Sequence, residues 1–73
     1  MNKYLIPICD IQAGQVYNKV ILAKSYNECQ DKLMEYLISQ YDCLSECFDY
    51  REFIKLADNN DILVGKITDI ETI

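Results

Sequence analysis

Four cysteines (Cys9, Cys29, Cys43 and Cys47) and twelve carboxylates are the side chains with chemical potential in this 73-residue sequence, and histidine is absent. Without histidine there is no group that titrates near neutrality by default, no Ser-His or Cys-His pair and no imidazole ligand. Structural zinc sites bring ligands in close pairs, usually twice over. Here Cys43 and Cys47 make one loose pair while Cys9 and Cys29 stand alone. The thiols therefore read as reduced, mostly buried, small apolar side chains, and as neither a metal cage nor a disulfide framework. Acids around Cys43 and Cys47 disfavour a reactive thiolate. Asp42 with Glu46, and Asp49 with Glu52, are close enough to share a helix face, the ordinary form of a solvated surface or a cap. No calcium-loop pattern is present, and two glycines, Gly14 and Gly65, are too few for a phosphate-binding loop. The chain reads as a non-enzyme with no catalytic residue, no cofactor and no metal.

The elements that must carry these residues are organised around Ser25–Asp42, SYNECQDKLMEYLISQYD. Ser25 and Glu28 form an S-x-x-E capping box, in which the serine oxygen takes the Glu28 amide and the glutamate reaches back to the Ser25 amide. Cys29, Leu33, Tyr36, Leu37 and Tyr41 then recur at three- and four-residue steps, one apolar stripe of a helix over 25–42. Upstream, Lys3–Ile11 and Val16–Lys24 are rich in β-branched and aromatic residues. They flank Gln12-Ala13-Gly14-Gln15, a hairpin signal with Gly14 available for positive φ. Tyr4, Ile6 and Ile8 share one face of the first strand, with Leu5, Pro7, Cys9 and Ile11 on the other. In the second, Val16, Val20 and Leu22 oppose Tyr17, Ile21 and Ala23. One face suits the long helix, and the other calls for a second helix or another subunit. Pro7 has no donor for a ladder, so it belongs at a bulge or with that side facing outward.

Downstream, Cys43–Phe48 is a connector with room for one helical turn, and Asp49 caps a short helix over 50–57. Asn59 and Asn60 supply the left-handed stop. Ile62–Ile70 is a third strand whose parity breaks at Gly65, which suggests a bulge. The order is β-β-α-α-β and the class α+β, a single domain. Its three-stranded, mostly antiparallel sheet has the third strand beside the first and the long helix on one face.

Net charge is −5, concentrated in residues 42–61, where six acids face Arg51 and Lys55. Acidic surfaces are repelled by phosphate backbones and anionic bilayers, so direct contact with nucleic acid or membrane is disfavoured. The first residues lack the charge and uninterrupted apolar run of a signal peptide, and no run is long enough to span a bilayer, which predicts a soluble cytoplasmic protein. What remains is protein binding. The acids of 42–61 interleave with Tyr41, Phe48, Tyr50 and Phe53, and aromatics among carboxylates suit docking onto a basic protein surface. The plainer reading keeps Phe48 and Phe53 in the core and leaves the acids to solubilise. The sharper reading makes Asp42, Glu46, Asp49, Tyr50, Glu52, Asp58 and Asp61 a protein-binding face.

In size, charge and lack of a catalytic set, the chain resembles small phage and mobile-element proteins that block host defence nucleases, the anti-CRISPR proteins among them. The resemblance implies an inhibitor whose carboxylates stand in for phosphates in a basic nucleic-acid channel. The alternative is a structural or regulatory subunit that forms a homodimer through its strand edge or its second apolar sheet face, the face expected to carry Tyr17 and Ile21.

Overall fold

The computed structural model describes residues 1–72, in the order β1 (Asn2–Asp10), β2 (Gln15–Ala23), α1 (Tyr26–Gln40), α2 (Tyr50–Asn59), β3 (Ile62–Val64) and β4 (Thr68–Thr72). The class is α+β, with an antiparallel sheet of four strands where three were expected. β1 is central: β2 pairs along its whole length on one side, while β3 and β4 follow one another along the other. The hairpin forms as anticipated. Asp10 faces Gln15, the Gly14 amide donates to the Ile11 carbonyl, and Gly14 takes φ +66°.

The last strand divides because of Pro7. Its carbonyl accepts from the Gly65 amide at 2.8 Å. A strand residue's N–H and C=O project to the same side, so the missing proline donor also faces this edge. The chain leaves the ladder there, at 65–67, and Ile67 turns into the core before β4 begins. The expected irregularity falls there: between the pairs Ile8–Val64 and Leu5–Thr68, two residues of β1 face three, 65–67, which leaves one extra residue just after Gly65. A second shift lies further on, where Tyr4 pairs with Asp69 and Lys3 with Glu71, so that Ile70 is also an extra residue.

Both helices lie on the same face of the sheet, against the expectation that one would be left to cover the other side. The core joins Tyr4, Ile6 and Ile8 of β1 and Ile21 and Ala23 of β2 to Cys29, Leu33 and Leu37 of α1. Phe53 and Ala57 of α2, with Leu44, Ile62 and Ile67, complete it. Tyr17 and Ile21 thus point under α1 and cannot form a second face. Ile21 is buried, and the Tyr17 hydroxyl lies 3.1 Å from that of Tyr41, the C-cap of α1. The open face instead carries Leu5, Pro7, Cys9, Val16, Val20, Leu22 and Leu63, with the Lys3–Glu71 ion pair at one end.

Local chemistry sets the helix ends. Ser25 Oγ accepts from the Glu28 amide, but the Glu28 carboxylate takes the Lys24 amide, one residue earlier than a capping box requires. Burial opposes the charge on Glu28, yet the hydrogen bonds from Lys32 and from the Lys24 amide prevail and lower its pKa. Residues 43–48 form no helical turn. Leu44 donates its amide to the Tyr41 carbonyl and drops its side chain into the core. At the end of α2, Asn60 caps with negative φ, and Asp61 takes the left-handed conformation, φ +63°, that the sequence suggested for an asparagine.

Two outcomes follow for stability. A Cβ added at Gly65 would lie 2.5 Å from Pro7 Cγ and 3.3 Å from the Pro7 carbonyl. Because the proline ring and the strand have little room to yield, Gly65→Ala is expected to cost about 1–3 kcal/mol, read as a lower urea midpoint with unchanged slope. Burial first, and then the hydrogen bond to Tyr41, push the Tyr17 phenol up from 10.0 to about 12. A raised phenol favours the folded state while it is neutral. That stability is complete below pH 10 and is lost as pH rises toward 12. Burial also raises Tyr36 and Tyr50. The denaturation midpoint should fall across this alkaline window, and fall less steeply in Tyr17→Phe.

Candidate functional site

α1 carries two stripes. Cys29, Leu33 and Leu37 face the sheet. Asp31, Met34, Glu35, Ile38 and Ser39 follow an i, i+3, i+4, i+7, i+8 spacing on a neighbouring strip and line a groove whose far wall is Glu46, Cys47 and Phe48 of the connector. The groove encloses about 610 Å³. Met34 and Ile38 are half-buried at its floor, while Phe48 is 98% exposed. The connector holds this position because Leu44 anchors it on one side and the Asp49 cap on the other. Asp49 Oδ1 accepts the Glu52 amide at 2.8 Å, which also places a carboxylate at the positive end of the α2 dipole.

Charge in the groove is one-sided. Among the described residues its lining holds three carboxylates, Asp31, Glu35 and Glu46, and no basic side chain. The adjacent lysine of α1, Lys32, is engaged elsewhere: its Nζ donates to the Leu22 carbonyl at 2.7 Å and pairs with Glu28 at 3.3 Å. An apolar strip flanked by uncompensated carboxylates is an arrangement for recognising cations attached to apolar groups.

The residues singled out from sequence are dispersed. Asp42 is exposed at the turn after α1, and Glu46 enters the groove. Asp49 and Glu52 are exposed together at the start of α2. Tyr50 beside them is half-buried, and burial, then the nearby Tyr26 and Cys29, raise its phenol pKa. Asp58 and Asp61 lie at the other end of α2, about 14 Å along its axis from Asp49. Asp61 serves the fold there: its carbonyl accepts the Ile11 amide at 2.9 Å and its carboxylate accepts from Gln12. The six acids therefore do not make one patch. Asp31, Met34, Glu35, Ile38 and Ser39 were missed, although their helical spacing is legible once a second stripe is sought.

The cysteines are also separate. Cys29 is buried, and burial raises its thiol pKa against the opposing charge of Lys32. The other thiols are not buried as expected: Cys43 is exposed, Cys47 is half-buried in the groove and Cys9 lies half-buried on the open sheet face, because the connector and the uncovered side of β1 carry them outside the core. Among the described residues no three cysteine or carboxylate side chains converge as a ligand set.

Phe48 and Phe53, paired as core candidates, part company: Phe53 is fully buried and Phe48 is almost wholly exposed. A chain of 73 residues is stabilised by roughly 4–11 kcal/mol in all. Phe53→Ala should cost about 3–5 kcal/mol, a large fraction of that total. Phe48→Ala should change stability by less than about 0.5 kcal/mol. Urea denaturation of the two variants side by side checks this division.

No protein-family model, no curated protein and no solved structure matches this chain, so its functional reading rests on the geometry of the groove and its carboxylates.

Proposed function

We propose that this is a non-enzymatic protein-binding module that docks its acidic, connector-bearing side onto a basic surface of another protein. The observation that carries the reading is Phe48, an aromatic with 98% of its surface exposed beside Glu46 and across a groove from Asp31 and Glu35. A large aromatic held in water costs the free protein the hydrophobic stabilisation its burial would give, about 1.5–3 kcal/mol. A partner that covers Phe48 recovers it. Aromatics at the centre with charges at the rim are the usual anatomy of an interface. Carboxylates steer the approach to a positively charged partner and repel nucleic acid.

Basic surfaces of this kind occur where enzymes bind nucleic acid. The role that fits best is therefore an inhibitor of a nuclease, of the type that phages and mobile elements deploy against host defences, with Glu46, Asp49 and Glu52 competing for the cations that bind phosphate. A second reading, self-association, is favoured by the open sheet face with Val16, Val20 and Leu22 at 78%, 46% and 44% exposure. This reading ranks second because it leaves the exposed Phe48 and the one-sided charge of the groove unexplained.

The test uses the tagged protein as bait in a lysate of its native host, at low and moderate ionic strength, with bound proteins identified and assayed. The expected result is a basic nucleic-acid enzyme retained at low salt, shed at higher salt, inhibited by the protein, and lost when Glu46, Asp49 and Glu52 are changed together to Lys. Recovery of the protein alone at both salts would remove the inhibitor reading. If that recovery also disappears in Val20→Asp, the sheet-face homodimer replaces it.

A further inference from the structure

We infer that the groove between α1 and the connector seats a cationic amphipathic segment of the partner protein. An aliphatic side chain lies against Met34, Ile38 and Phe48, and flanking arginines meet Asp31, Glu35 and Glu46. This rests on the binding-module reading and gives it a chemistry. The α1 wall runs from Asp31 to Ser39, about 12 Å, or two helical turns. That length matches a short helix presenting anchors at i, i+3 or i+4 and i+7.

Charge selects the occupant. Nucleic acid or an anionic bilayer would bring negative charge against three carboxylates that have no basic neighbour in the lining. A purely apolar ligand would desolvate those carboxylates without a partner. A second copy of this chain, at −5 overall, would set like charge against like. An arginine-bearing segment meets both demands, because guanidinium forms paired hydrogen bonds with a carboxylate and also stacks on an aromatic ring such as Phe48. Phe48 is the natural lid. It is exposed on a connector without regular structure, tethered by the buried Leu44 and by the Asp49 cap.

The experiment is methyl NMR of the full chain, following Met34 and Ile38 during titration with three short synthetic peptides. The first carries leucine and arginine at helical spacing. In the second glutamate replaces arginine, and in the third serine replaces leucine. The expected result is a saturable shift of both methyl signals by the first peptide only, weakened about tenfold or more by Phe48→Ala and by Glu35→Lys. Equal binding of the arginine–leucine and arginine–serine peptides would overturn the inference, since charge alone would then explain the attraction. Shifts confined to the backbone amides of Asp49 and Glu52, read in a parallel amide spectrum, would also overturn it, as would no saturable methyl shift with any peptide. Salt-sensitive capture of a basic enzyme that is lost in Phe48→Ala but persists in Glu35→Lys would place the failure in the groove and leave the binding-module reading intact. Loss of that capture in the wild-type chain would be the failure of the module itself.

Discussion

Every layer of this structure depends on β1 having neighbours on both sides. Among the described residues it is the one strand paired along two edges, and its inward residues Tyr4, Ile6 and Ile8 form the floor on which both helices rest. Such a small domain buries only about 60% of the surface its unfolded chain exposes, so a single row of three large side chains contributes a substantial share of what holds it together. The hairpin supplies one neighbour locally, through the Ile11–Gly14 turn. The other comes from the far end of the chain, and β1 closes the fold by receiving it.

Pro7 governs how that closure is made. A proline in a central strand removes a ladder donor. The chain accommodates it by interrupting the opposing strand at that residue and filling the gap with Gly65, whose amide reaches the Pro7 carbonyl and whose missing Cβ leaves room for the ring. The interruption lets Ile67 fold into the core between β3 and β4. The backbone donor that Pro7 lacks is thus offset by a break that sends Ile67 inward, and the ladder restarts at Leu5–Thr68 one residue out of step with β3.

The candidate site arises from a division of labour on α1. One stripe of the helix is consumed by the sheet, and the next is left beside a connector that has no regular structure of its own. Because Leu44 and the Asp49 cap fix the ends of that connector, Glu46, Cys47 and Phe48 between them stand across the groove from α1. Carboxylates on an acidic surface become directional when an apolar strip and an exposed aromatic sit among them. Asp58 and Asp61, equally acidic, have no such neighbours in the groove, and Asp61 is committed to tying the hairpin turn to the end of α2.

Local signals were legible in the sequence wherever the physics is local. The Ser25 and Asp49 caps, the Gly14 turn, the period of Cys29, Leu33 and Leu37, and the alternation of Tyr4, Ile6 and Ile8 each depend on neighbours a few residues away. Together they define an α+β domain and most of its core. What required the tertiary structure was every choice between equivalent faces. Both faces of the hairpin are apolar, so alternation could not say which one the helices would cover, and Tyr17 and Ile21 were placed on the wrong side. Phe48 and Phe53 are alike in type and five residues apart, yet one is anchored in α2 over the sheet and the other is carried outward by a connector whose path Leu44 decides. The second stripe of α1 was present in the spacing all along. It became a groove only when residues 46–48 were brought against it, because a surface acquires shape from what packs beside it and not from its own periodicity.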